Sequence, residues 1–149
     1  MHKSFEKSAF RIEVFEKAVT TLEEVVNEPI VGKRFVIDAC IQRFEYTFEL
    51  AWKTLKIVLL EKCGIETNSP RGALQYAFQQ HLIDNEKLWL DMLDDRNQTT
   101  HTYDEKVADH IYECVKNRYF PALKKMVVLL KQRYGSGSCE HENSLSGQE

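Results

Sequence analysis

Apolar side chains recur at helical spacing along most of this chain. The clearest run is Ile37, Ile41, Phe44, Phe48, Ala51, Leu55 and Val58, whose alternating steps of four and three place all seven on one stripe of a long helix. Cys63-Gly64 predicts its end, because glycine enters the left-handed C-terminal cap without strain. Phe15, Ala18, Leu22 and Val25 predict an earlier helix, closed by Asn27-Glu28-Pro29, and the two should pair antiparallel across a short connection. Ser69-Pro70 reads as an N-cap followed by proline in the first helical position. The helix it opens carries Leu74, Ala77 and Phe78, breaks near Asp84-Asn85, and resumes with Leu88, Trp89, Met92 and Leu93. A last helix carries Val107, Ile111, Cys114 or Val115, Ala122, Met126 and Leu129, with a kink expected at Pro121. Hardly any stretch alternates with the period of two that marks a half-buried strand, so the fold class is all-α, with four main helical units.

Length and composition set limits on this picture. At 149 residues the chain can bury one core, and 43% hydrophobic with 29% charged residues is globular composition. No apolar run reaches the roughly 20 residues that span a bilayer, and the first residues do not read as a signal peptide, which predicts a cytoplasmic protein. Residues 1–134 form the expected domain, and 135–149, from Gly135-Ser136-Gly137-Ser138 onward, a flexible polar tail. Three acidic residues of that tail, Glu140, Glu142 and Glu149, account for the formal charge of -3. The body is therefore neutral, and any nucleic-acid chemistry has to be local. Cys40, Cys63, Cys114 and Cys139 are widely spaced, with no Cys-x-x-Cys pair, so reduced thiols are expected and no metal or other cofactor.

Chemistry concentrates between Arg96 and Tyr103. In an unbroken helix residues five apart differ by about 140°, so Arg96 and His101 diverge unless the chain bends. Thr102-Tyr103-Asp104-Glu105 supplies a reason to bend, because it matches a capping box with Thr102 as N-cap and Glu105 reaching back. A helix N-terminus there would favour phosphate. Arg96 offers a permanent cation with a bidentate fork, and His101 an imidazole that can give or take a proton. Together they suit metal-independent phosphodiester cleavage, with Asn97 orienting the attacking or leaving group and Tyr103 adding a hydroxyl. A surface cation beside a capping side chain is the plain alternative. Glu45, Glu49 and Lys53 share one helix face and either project into a cleft or form a solvated stripe. Trp52 and Trp89 read as core or interface aromatics, and His81 and His110 as isolated.

The pattern Arg-x4-His-x-Tyr, here Arg96, His101 and Tyr103, resembles the signature of HEPN domains encoded beside minimal nucleotidyltransferases. The stretches Phe44 to Lys56, Ser69-Pro70-Arg71 and Trp89 to Asn97 resemble the nucleotidyltransferase substrate-binding branch of that family, and the likeness spans about residues 5–133. This resemblance implies an antiparallel up-and-down four-helix bundle with a broken third helix, acting as a homodimer whose two motifs meet across a cleft. It implies the toxin of a type VII HEPN/MNT toxin–antitoxin pair: a metal-independent endoribonuclease with RNA as substrate. The partner would be a minimal nucleotidyltransferase antitoxin that transfers AMP onto the motif tyrosine, here Tyr103. An alternative reading of the same branch is a non-catalytic subunit that presents substrate to a two-component nucleotidyltransferase.

Overall fold

A computed structural model describes residues 2–29 and 34–135, the first five of them without their side chains. Helix α1 spans His2–Val26 and buries Ile12, Phe15, Val19, Leu22 and Val26 along one stripe. It closes where Asn27 and Glu28 donate back to Glu23 and Val25, just before Pro29. Helix α2, Arg34–Cys63, buries six of the seven residues of its predicted stripe, with Ile37 half-buried at the start. Its end lies at Gly64, where φ is 70°. The Gly64 N–H meets the Leu60 carbonyl at 3.2 Å, and the next N–H, of Ile65, reaches Leu59 at 2.9 Å. Nothing would crowd a Cβ at Gly64, so backbone conformation and not space selects glycine. The two helices run antiparallel: the buried Ser8 hydroxyl donates to Glu61, and Arg43 donates to the Thr21 carbonyl at 2.7 Å. Buried Thr47 gives its proton within its own helix, to the Arg43 carbonyl at 2.7 Å.

Helix α3 covers Pro70–Gln79, and the Ser69 hydroxyl accepts from the Gly72 N–H at 3.0 Å, as the Ser-Pro signal predicts. Leu74 and Ala77 are buried, but Phe78, expected on the same stripe, is 40% exposed. A ten-residue helix presents its narrow buried face through residues 73, 74 and 77, and position 78 falls beyond its edge. The break begins earlier than Asp84. His81 takes a left-handed conformation, φ 61°, and donates to Phe78, while Leu82 donates to Ala77. That pair of bonds is a Schellman cap with histidine where glycine usually stands. Asn85 then caps α4, Glu86–Asn97, its side chain accepting from the Leu88 N–H at 3.1 Å.

Beyond α4 the chain tightens into a single 3-10 turn, Gln98–His101, and restarts as α5, Glu105–Cys114. A π turn over Val115–Tyr119 joins α5 to α6, Phe120–Tyr134. This is how the last helix meets Pro121, for which a kink was expected. Proline lacks an N–H and crowds the carbonyl one turn back, and the wider π turn, closed by Phe120 N–H to the Val115 carbonyl, sits directly before it. Lys124–Glu23 and Lys131–Glu16 contacts at 2.9 Å lay α6 antiparallel on α1. Asp91–Arg118, Asp84–Lys125 and Asp95–His110 contacts lay α4 antiparallel along the α5–α6 helix. The result is an all-helical bundle in which α3 and α4 form one broken unit. Its centre holds Phe44, Phe48 and Tyr119, the Phe44 and Tyr119 rings stacking at 5.7 Å. No helix among the described residues is long and apolar enough to cross a membrane. Apart from Gly135, the segment expected to be a tail lies outside the described residues.

Candidate active site

The last turn of α4 delivers Arg96 against α2. Its terminal NH2 group lies 3.7 Å from Glu49 Oε1, and its Nε is buried without an acceptor. A buried donor left unmatched is costly, and a native fold keeps one only for a reason. Glu49 also faces Lys53 at 3.5 Å. One turn earlier on α2, Glu45 Oε2 lies 2.6 Å from the Thr99 hydroxyl, which is also 2.7 Å from the Arg96 carbonyl. Thr99 is buried, so Glu45 fastens the 3-10 turn onto α2. Glu45 and Glu49 both turn toward the Arg96 segment, and Glu49 also keeps the Lys53 pairing of a solvated stripe.

His101 ends the 3-10 turn and points to Tyr103, its Nδ1 3.3 Å from the phenol oxygen, with the rings edge to face at 5.8 Å. Tyr103 is 83% exposed. It does not pack on the preceding helix. Asn97 is exposed at the C-terminal end of α4. Arg96 and His101 thus take separate partners. In ideal geometry a step from α-helical to 3-10 winding between them gives roughly 200° of rotation, so local winding alone does not bring the two together.

The expected capping box is displaced. Thr102 is not the N-cap of α5; it follows the 3-10 turn with helical dihedrals, and its carbonyl accepts from Arg34 at 3.4 Å. Asp104 is the N-cap, its carboxylate accepting from the Lys106 N–H at 2.9 Å. Aspartate caps at least as well as threonine, and its charge already answers the partial positive end of the helix, with Glu105 in the first turn beside it. The chain's own Asp104 carboxylate thus answers part of the positive end of α5. An open groove runs beside it, between the first half of α2 and the turn, lined by Arg34, Asp38, Glu45, Thr99, Thr102 and Tyr103.

A second cluster escapes the sequence pattern. His110 lies 3.3 Å from Asp95, and Cys114 Sγ lies 3.7 Å from His110 Nε2. Buried Tyr119 donates to the same Asp95 oxygen at 2.5 Å. Burial, reinforced by the Asp95 carboxylate, pushes the Cys114 thiol up, against opposing pulls from Arg118 and Tyr119. Burial and the bond to Asp95 also raise the Tyr119 phenol. The available signal was His110 and Cys114 four residues apart on one helix; Asp95 joins them only through the pairing of α4 with α5.

Residues 10–132 match the family described as nucleotidyltransferase substrate binding protein like. The chain belongs to that family. Among its relatives, the probable ribonuclease HepT of Haemophilus influenzae is 31% identical over 90 residues, 57% of this chain. The chain spans about three fifths, 61%, of the length of that curated relative. A Thermus thermophilus protein of known crystal structure is 38% identical, with a TM-score of 0.67 over 80% of this chain and 98% of its own. HI0074 of Haemophilus influenzae, described as revealing the fold of a substrate binding domain of a nucleotidyltransferase, shares the fold. Its TM-score is 0.68 at 24% identity, over 81% of this chain and 99% of its own. The family and the all-helical bundle that the sequence resemblance implied are thus both those of this chain.

Proposed function

We propose that this chain is the HEPN toxin of a type VII HEPN/MNT toxin–antitoxin pair, a metal-independent endoribonuclease switched off by AMPylation of Tyr103. The observation that carries the reading is Tyr103 itself, 83% exposed and in contact with His101 through its hydroxyl. A large aromatic residue held in solvent beside a titratable histidine is available to a modifying enzyme and close enough to silence what it touches. Arg96, its side chain 30% exposed, is suited to stabilise a phosphorane-like transition state. Because local winding alone does not bring Arg96 and His101 together, the site is completed by a second copy, in a homodimer that brings both motifs to one cleft.

In that cleft one His101 takes the proton of a ribose 2'-OH as the oxygen attacks the adjacent phosphorus. The bond to the 5'-oxygen breaks, the second His101 protonates the leaving oxygen, and a 2',3'-cyclic phosphate remains. Asn97 orients the attacking or leaving group. The partner nucleotidyltransferase joins the Tyr103 oxygen to the α-phosphorus of ATP, releasing pyrophosphate and the phenol proton. The added AMP brings charge and bulk to the place where RNA phosphate would bind.

The family's description as a substrate-binding protein favours a second reading, a non-catalytic subunit of a two-component nucleotidyltransferase. Glu45, Glu49 and Asp104 around the motif, which would repel RNA, favour it too. Expression without the partner separates the two. The ribonuclease arrests growth and His101→Ala does not; equal toxicity of the two proteins removes the catalytic reading. Incubation with the partner and labelled ATP should label the wild type and leave Tyr103→Phe unlabelled, and label persisting on that variant excludes the acceptor.

A further inference from the structure

Asp95, His110 and Cys114 come from two helices that the core holds side by side. Four residues apart on α5, His110 and Cys114 face the same way, and Asp95 reaches them from antiparallel α4. His110 Nε2 is 3.3 Å from Asp95 Oδ2 and 3.7 Å from Cys114 Sγ, and one donor atom from each residue falls within 4.8 Å of the other two. A tetrahedral zinc ion, with bonds of about 2.0–2.2 Å to nitrogen and oxygen and about 2.3 Å to sulfur, sets such ligands about 3.4 Å apart for N···O and about 3.6 Å for S···N. These two edges lie within about 0.2 Å of those spacings, and the third, between Asp95 and Cys114, is below 4.8 Å.

We propose that Asp95, His110 and Cys114 form a three-ligand site for a borderline divalent transition ion, zinc foremost, with the fourth position open to solvent. The donor set selects the metal: an imidazole and a thiolate disfavour calcium and magnesium, which take oxygen. Charge agrees, since one carboxylate and one thiolate balance a divalent ion beside a neutral imidazole. Tyr119, fully buried, holds Asp95 from behind by a hydrogen bond to Oδ2, as outer-shell partners orient ligands in metal sites. Access is provided by His110, whose side chain is 61% exposed. Binding displaces the Cys114 thiol proton and clamps α4, one residue before Arg96, to α5. The site stands whether or not the ribonuclease reading does.

Cobalt titration of the full chain under reducing conditions tests it. The expected result is one Co2+ per chain, with visible bands of tetrahedral intensity and a thiolate-to-cobalt band in the near ultraviolet, all bleached by zinc. His110→Gln, at an exposed position that keeps the fold, loses them, as does Cys114→Ser. Cys139→Ser keeps them, which separates this site from the C-terminal Cys139-Glu140-His141. Tyr119→Phe, retaining the ring, weakens binding about 10–100-fold. The proposal is overturned if the wild type gives no such bands, if they survive in His110→Gln, or if they vanish in Cys139→Ser.

Discussion

His81 carries a cost that the rest of its turn absorbs. Left-handed backbone costs an ordinary L-residue roughly 1–2 kcal/mol, and here two cap bonds, to Phe78 and from Leu82 to Ala77, hold it in place. His81→Gly should raise stability by about 1 kcal/mol, read as a higher urea midpoint at unchanged slope; an unchanged or lower midpoint contradicts the strain. Nothing in the sequence announced this, because histidine is not a usual cap signal. The proposed site residues Arg96, His101 and Tyr103 suggest themselves from the sequence because their spacing is a linear pattern. Asp95 with His110 does not, since fifteen positions separate them and only helix pairing joins them. Thr102 was misread for a different reason: Thr102 and Asp104 are both good caps, and the local text does not say which one the 3-10 turn leaves free.

Helix α5 depends on that choice. Asp104→Ala removes the accepted Lys106 bond and should cost about 1 kcal/mol in the urea midpoint, while Thr102→Ala should cost no more than a few tenths. Equal costs would restore the threonine cap. The pairing of α4 with the final helix also has a pH signature. Arg118, and then Lys87, hold the Asp91 carboxyl below the usual carboxylate range, and Lys125 does the same for Asp84. A carboxyl lowered on folding stabilises above its unfolded pKa and loses that contribution as pH falls through the folded value. Because Asp91 is only half-buried and its partners Lys87 and Arg118 are exposed, the effect is small. Asp91→Asn should lower the melting temperature by about 1–3 °C at pH 7 and leave it unchanged in strong acid. A deficit that persists there would assign Asp91 a packing role. Helix ends were readable wherever one residue type dictates them, as at Gly64 and Ser69-Pro70. The π turn was not, because a proline inside a helix specifies a lost donor and not how the chain makes room.

At the scale of the molecule, the period of apolar residues sufficed for an all-helical bundle, and the solved structures that share the fold agree with it. Burial of Phe44, Phe48, Leu55, Trp89, Tyr112 and Tyr119 in one core follows from stripes that must face one another. A partner surface is not written in those stripes, since they face the core. The proposed site, once completed, cleaves RNA through its 2'-OH. Purified chain without its partner, incubated in excess EDTA with RNA and with the same RNA 2'-O-methylated throughout, tests it most directly. The expected result is cutting of the unmodified RNA alone, with 2',3'-cyclic phosphate ends, and none by His101→Ala. Cutting of both RNAs, equal cutting by His101→Ala, or no cutting at all would contradict it.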